Sequence, residues 1–345
     1  MVPGSLYGQN HYKTFIKLLK ESVTEGHIST ARIDDAVTRI LRVKYELDLF
    51  NDPYGNPEHT KYVGDPQHRE IARTAVKKSV VLLKNDSNTL PLDKDQKVYL
   101  VGSGANNLGM QNGGWTVEWQ GRFTPDFITL DKNNDTSIQQ LEMINLYKKV
   151  YNQKYDNRST VDLFSKLDED KNGKISKAEF ESYQASSPFQ PDGTSIYSAI
   201  KNLVTDESLF TYNPRANNLD GDGVIIAVIG EYPYAEGYGD NGELTISPFD
   251  RAVLERCYAS NKKLIVIMLS GRPLIINEHI NNWDSFLAAW LPGMAGEGII
   301  DVLYGDYNPT GKLSFSWPKN ITQLPIDVKD SNYDPLFRFG FGLGY

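Results

Sequence analysis

Val224-Ile225-Ile226-Ala227-Val228-Ile229, within a strand expected over Gly223–Gly230, is an unbroken apolar run, and Leu264-Ile265-Val266-Ile267-Met268-Leu269 is a second, with an amphipathic stretch over Phe249–Ala259 between them. A strand with one wet face alternates apolar and polar residues. A run apolar at every position needs cover on both faces, as in a parallel sheet with helices on either side. The same grammar continues outward. Upstream, a helix over Arg69–Lys78 runs into Ser79-Val80-Val81-Leu82-Leu83-Lys84, and Val98-Tyr99-Leu100-Val101-Gly102 follows a turn around Asn88. Beyond them, Ile196–Val204 and Gly296–Tyr304 read as helices, Ser285–Trp290 as a strand and Lys312–Ser316 as a last extended piece. The predicted fold class is therefore α/β, a mostly parallel sheet sandwiched by helices. Such a sheet binds ligands outside the carboxyl ends of its strands.

Two regions fall outside this rhythm. Residues 10–25 read as a helix, and Ile33, Ala36, Val37, Ile40, Leu41, Lys44 and Leu47 trace one stripe of a second, capped by Ser29 or Thr30. Asp48 to Pro57 then reads as a linker. The stretch from about 123 to 190 lacks a buried-strand run and is rich in Asp, Asn, Lys and Gln, as expected of an inserted all-α module. The predicted domains are 1–62, then 63–122 with 191–345, and the insertion 123–190. With 36 Lys+Arg against 44 Asp+Glu the net charge is −8, which disfavours nucleic acid and anionic membranes as partners. Cys257 is the single cysteine, so an internal disulfide or a thiolate metal cluster is excluded. No apolar run reaches the ~18 residues of a membrane helix. Met1-Val2-Pro3-Gly4 lacks the basic and apolar regions of a signal peptide. Asn85, Asn157 and Asn320 open glycosylation tripeptides of the kind that also arise by chance, which leaves location open.

The insertion carries a metal-binding pattern twice. In Asp168-Glu169-Asp170-Lys171-Asn172-Gly173-Lys174-Ile175-Ser176-Lys177-Ala178-Glu179, hard oxygen donors stand at positions 1, 3 and 5 (Asp168, Asp170, Asn172). The Lys174 carbonyl stands at 7, Ser176 at 9 and Glu179 with two oxygens at 12, while Gly173 permits the sharp bend at 6. The earlier copy places Asp131, Asn133, Asp135, the Ser137 carbonyl, Gln139 and Glu142 at the same offsets, with Ile138 matching Ile175. Thr136 stands where glycine is expected, and a β-branched residue at positive φ is strained. The two loops together resemble an EF-hand pair of the calmodulin-like superfamily, which implies Ca²⁺ as the bound ion.

Outside the insertion, a series of segments occurs in one order along the chain. They are Arg32-Ile33-Asp34-Asp35-Ala36-Val37-Thr38-Arg39-Ile40-Leu41; His68-Arg69-Glu70 onward to Asn85; Gly113-Gly114-Trp115-Thr116-Val117-Glu118-Trp119-Gln120-Gly121; and Gly230-Glu231-Tyr232-Pro233-Tyr234-Ala235-Glu236. Then follow Ser270-Gly271-Arg272-Pro273, Ala289-Trp290-Leu291-Pro292-Gly293, Gly305-Asp306-Tyr307-Asn308-Pro309-Thr310-Gly311 and Phe339-Gly340-Phe341-Gly342-Leu343. As a set they resemble glycoside hydrolase family 3, the β-glucosidase and exo-β-glucanase family. The resemblance implies that residues 1–62 are a helical remnant of a (β/α)8 barrel. It also implies a retaining hydrolase of β-glucosides or β-glucans with Glu236 as acid/base and Trp119 as a sugar clamp. Indole faces stack on the C–H faces of sugars. Trp115 is the second substrate-binding candidate, although a position in the core or under the loop is the preferred reading for it. Arg272 and Trp290 are expected to be structural.

Independently of the resemblance, Glu236 lies just beyond a strand end on a loop made pliable by Gly237 and Gly239. Tyr232, Tyr234 and Tyr238 are expected to raise its pKa towards that of a working acid, and Glu231 and Glu243 are rivals nearby. The family's nucleophile, an Asp in a Ser-Asp-Trp motif, and its barrel Lys-His pair are absent from this sequence. The expectation is an incomplete chain, inactive alone, whose barrel is missing and whose full-length parent is secreted or lysosomal. A split enzyme and a non-catalytic sugar- or calcium-binding protein are the alternatives.

Overall fold

The computed structural model describes residues 11–151, 157–186 and 193–345, and the chain divides into two compact units, Met1–Asp65 and Pro66–Tyr345. In the first unit, α1 (His11–Thr24) precedes α2 (Thr30–Glu46), whose first turn is closed by the Ser29 side chain accepting from the Arg32 N–H. No side chain of α2 is buried, and Val37, Ile40 and Leu41 on its apolar stripe stay exposed.

The second unit opens with α3 (Pro66–Ser79). Eight strands follow: β1 (Val81–Asn85), β2 (Val98–Val101), β3 (Ser137–Gln139), β4 (Lys174–Ser176), β5 (Phe210–Tyr212), β6 (Val224–Gly230), β7 (Leu264–Leu269) and β8 (Ser285–Trp290). Six of them form one sheet in the order β1-β8-β7-β6-β2-β5, parallel except for the edge strand β1. Every residue of β2, β6 and β7 is buried, as all-apolar runs require. Cover comes from α3, α4 (Leu108–Asn112), α9 (Ile196–Leu203), α10 (Pro248–Ala259) and α11 (Glu297–Leu303), with α3 and α9 both packed on α11 and α10 on β6. Arg73 of α3 forks onto the buried Asp301 of α11, Nε to Oδ2 at 2.8 Å, and fastens that layer.

Between α4 and α9 lies the inserted module: α5 (Phe127–Leu130), β3, α6 (Gln140–Tyr151), α7 (Asn157–Leu167), β4 and α8 (Lys177–Ser186). It is not purely helical. β3 and β4 pair antiparallel with Ile138 opposite Ile175, both fully buried. Three-residue strands are too short to produce an apolar run that sequence patterning detects.

Residues 312–316 form no strand; Trp317 makes only an isolated bridge with Phe337. β5 was not foreseen, being three half-buried residues on the sheet edge. Asn85 is no open glycosylation site, because its side-chain amide bonds the Leu90 N–H and carbonyl and accepts from Ser285 Oγ. Among the described residues, no helix is long and apolar enough to cross a membrane.

Candidate functional site

In the strand order the chain runs from β2 to β5 on one side and from β6 to β7 on the other, so the connections leave the carboxyl ends of the neighbours β2 and β6 in opposite directions. Such a reversal opens a crevice. The loops after β2, β6 and β7 meet there and carry the predicted sugar-site residues.

The loop after β2 approaches the loop after β6 very closely. A Cβ at Gly114 would stand 2.0 Å from the Tyr234 carbonyl oxygen, so glycine is needed at that point. Trp115 follows at φ 57, and its N–H donates to the Trp119 carbonyl at 2.8 Å, closing a small turn. Both indoles point outward, Trp115 being 69% and Trp119 48% exposed, which overturns the core alternative for Trp115. Their rings lie 6.3 Å apart, and Trp119 meets Tyr238 edge-on at 6.2 Å.

Glu236 is exposed and opens a short helical turn, Glu236–Gly239, at φ 50. A non-glycine residue in this region is strained by about 1–2 kcal/mol and persists only where its surroundings hold it. Here the Gln120 side chain accepts from the Ala235 N–H at 2.8 Å on one side. On the other, Arg272 Nη2 donates to the Gly239 carbonyl at 2.7 Å. Arg272 also donates twice to Glu231 Oε1, at 3.0 and 2.8 Å, and lies 4.7 Å over the Tyr234 ring. The Tyr234 hydroxyl donates to Glu231 Oε2 at 3.0 Å, and burial together with Glu231 pushes its pKa up. Glu231 is thus committed to positioning the loop, and Glu243 is an exposed turn residue. The three tyrosines differ: Tyr232 packs on Phe123, Tyr234 lies under Arg272, and Tyr238 alone is largely exposed beside Trp119.

Asp250 was missed by sequence reasoning. Fully buried, it accepts from the Ser103 N–H and Oγ (3.1 and 2.8 Å) and the Gly230 N–H (3.3 Å), tying together the ends of β2 and β6. Burial pushes its carboxyl up to about 6. The signal was present: Ser247 and Asp250 have the spacing of a helix-capping pair, and Ser247 Oγ accepts from the Asp250 N–H.

The two acidic loops are near-copies. Asp168 accepts from the N–H groups of Asn172 and Gly173 at 3.0 Å each, and Asp131 from those of Asp135 and Thr136 at 3.2 and 3.0 Å. Glu179 caps the N–H groups of Glu169, Asp170 and Ser176, and Glu142 those of Lys132, Asn133 and Gln139. The backbone matches too, with positive φ at Lys171 and Gly173 and at Asn134 and Thr136. Carboxylate oxygens of Asp168, Asp170 and Glu179 lie within 4.8 Å of one another, and no other His, Cys, Asp or Glu trio among the described residues converges so closely. Asp131 and Asp168 are buried carboxylates, the kind of charge that calls for a cation. The donor set of carboxylates, Asn172, the Lys174 carbonyl and Ser176 is all oxygen and suits Ca²⁺. In the first loop, the Asn133 and Gln139 amide groups both donate to Asp135 Oδ2, at 3.1 and 2.9 Å, as the Asn172 amide donates to Asp170 Oδ2 in the second, at 2.8 Å.

Residues 80–345 match the Glycosyl hydrolase family 3 C-terminal domain, and the chain belongs to that family. It is 27% identical to the lysosomal beta glucosidase of Dictyostelium discoideum, covering 96% of this chain and 36% of that protein. It is 29% identical to the periplasmic beta-glucosidase of Salmonella typhimurium, covering 96% and 42%. Among solved structures, an exo-1,3/1,4-beta-glucanase from a Pseudoalteromonas species is similar with TM-score 0.66 and 33% identity, covering 97% of this chain and 46% of that one. The chain spans less than half the length of each of these relatives.

Proposed function

We propose that this chain supplies the acid/base side of a retaining β-glucosidase or β-glucanase site. In that reading Glu236 protonates the departing glycosidic oxygen, then takes a proton from the water that releases the glycosyl intermediate, while a carboxylate about 5–5.5 Å away forms and loses the bond to the sugar. Trp119 stacks on the sugar beyond the cleaved bond, with Trp115 beside it. The observation that carries the reading is that independent loops bring Glu236 and Trp119 together, Gln120 bonding the amide just before Glu236. The relatives' names, which are those of β-glucosidases and a β-glucanase, support the substrate class. The nucleophile is assigned to a barrel domain of the same or another chain. A secreted or lysosomal setting agrees with the lysosomal and periplasmic relatives.

The insertion is proposed to be an EF-hand pair. Asp168, Asp170, Asn172, Lys174, Ser176 and Glu179 hold Ca²⁺ in its second loop, with Asp131, Asn133, Asp135, Ser137 and Glu142 forming a weaker first site. The test is an aryl β-glucoside assay on this chain with and without an added family barrel domain. Turnover is expected only with the barrel, and it is lost in Glu236→Ala. Turnover by the chain alone, or full activity of Glu236→Ala with the barrel, refutes the assignment.

A further inference from the structure

The calcium-type module and the sugar-site loops share one buried side chain, Phe123. It is 3% exposed and meets Tyr147 of α6 edge-on at 5.7 Å and Tyr232 edge-on at 4.6 Å. Phe123 lies four residues after Trp119, and Tyr232 four residues before Glu236. Beside it, Phe123, Pro125 and Arg122 face Met143, Leu163 and Phe180 of the module across a cavity of about 390 Å³.

We infer that ion occupancy of the paired loops is transmitted through Phe123 to the Trp119–Glu236 edge, so that the insertion is a calcium-dependent regulator of the sugar site. The inference rests on the calcium reading above. Glu142, the last ligand position of the first loop, sits in the first turn of α6, the helix that carries Met143 and Tyr147. Binding at such loops reorients the helix that follows, and in sensor proteins of this type the change of angle is tens of degrees. The entering helix is pinned to the sheet domain. Asp126 accepts from Tyr212 Oη at 2.5 Å and from Asn106 Nδ2 at 3.2 Å, and Arg215 donates to the Thr129 carbonyl at 2.5 Å. α6 also packs on α10 of the sheet domain, so with α5 held a change of angle pivots α6 about that contact, and the cavity leaves room for it. Tyr147 then moves the ring of Phe123. Phe123 in turn moves Tyr232 and the chain leading to Gln120, whose side chain holds the amide before Glu236. Because such coupling is reciprocal, a sugar that favours one position of Glu236 also changes the affinity for Ca²⁺ by the same factor.

The test combines calorimetric titration with CaCl2 and hydrogen exchange on the full chain. In the wild type, saturating Ca²⁺ is expected to change exchange over residues 232–239 by about threefold or more. Phe123→Ala still binds Ca²⁺ and protects residues 174–176, but exchange over 232–239 no longer responds. Tyr232→Leu cuts the same link from the sheet side and gives the same uncoupling should the first variant fold poorly. Calcium binding that leaves residues 232–239 unchanged in the wild type, or that is transmitted equally in both variants, overturns the inference while the calcium reading stands. Absence of any calcium-binding heat in the wild type overturns both.

Discussion

Thr136→Gly isolates the backbone strain that distinguishes the two loops. Thr136 holds φ 68 and Gly173 holds φ 83, and each directs its N–H to the first aspartate of its loop at 3.0 Å. The position is needed by the loop; only the residue type differs. A side-chain-bearing residue in the left-handed region is disfavoured by about 1–2 kcal/mol, with a β-branched one at the upper end. Glycine removes that strain but frees the unfolded chain, which costs about 0.5–1 kcal/mol. The net expectation is a gain of about 1 kcal/mol, read as roughly fivefold slower hydrogen exchange over residues 137–139 and their partners 174–176. Gly173→Ala is the mirror experiment. Nothing lies within 4 Å of a Cβ there, so its cost is conformational alone, about 0.5–1 kcal/mol. Position 6 contributes no ligand atom in a loop of this type, so calcium affinity is expected to change little. Faster exchange in Thr136→Gly refutes the reasoning, because the exposed threonine would then be contributing more than its backbone costs.

Arg272→Ala removes both arms of the Glu231 pair and the bond to Gly239, leaving a carboxylate that is 12% exposed without its cation. A loss of about 2–3 kcal/mol in urea unfolding is expected, with Arg272→Lys recovering less than half because lysine lacks the fork; a loss under about 0.5 kcal/mol refutes the positioning role. Asp250 sets a pH dependence. Its folded pKa of about 6 lies above the ordinary 3.8, so its contribution to stability is fully present below about pH 3.8 and is lost as pH rises through about 6. The wild type is therefore expected to lose about 3 kcal/mol relative to Asp250→Asn between pH 3.5 and pH 7 in denaturant titrations; a difference constant with pH refutes it.

Legibility in the sequence follows how locally each feature is encoded. β7 and β8 fall at the predicted bounds and β6 within one residue, because continuous burial leaves no polar position to blur an end. β5 and the β3–β4 pair were invisible for the opposite reason. Three residues carry no period, and their pairing is decided by partners up to a hundred or more positions away in the chain. The extended piece expected over 312–316 meets the C-terminal segment instead, the Leu313 N–H donating to the Phe341 carbonyl and the Gly340 N–H to the Leu313 carbonyl, while Leu343 bridges to the outer side of β1.

The edge that carries Glu236 and Trp119 shows where local encoding stops. Glu236, Trp115 and Trp119 were named from motifs and Arg272 was expected to be structural, but the pairings that set the geometry were not legible: the Gln120 side chain on the Ala235 N–H, the Glu231 carboxylate in the Arg272 fork and buried Asp250. Each acts across loops that follow different strands, so its partner can be known only after the sheet is assembled. The same physics explains why Glu231, the obvious rival in sequence, is not free for proton transfer. A carboxylate bonded twice to one guanidinium and once to a tyrosine hydroxyl has its lone pairs engaged and its charge compensated, whereas Glu236 faces solvent on a backbone that its neighbours force into a strained turn. Holding strain at one exposed carboxylate requires rigid neighbours, and the buried Asp250 beneath the ends of β2 and β6 is one reason that they are rigid.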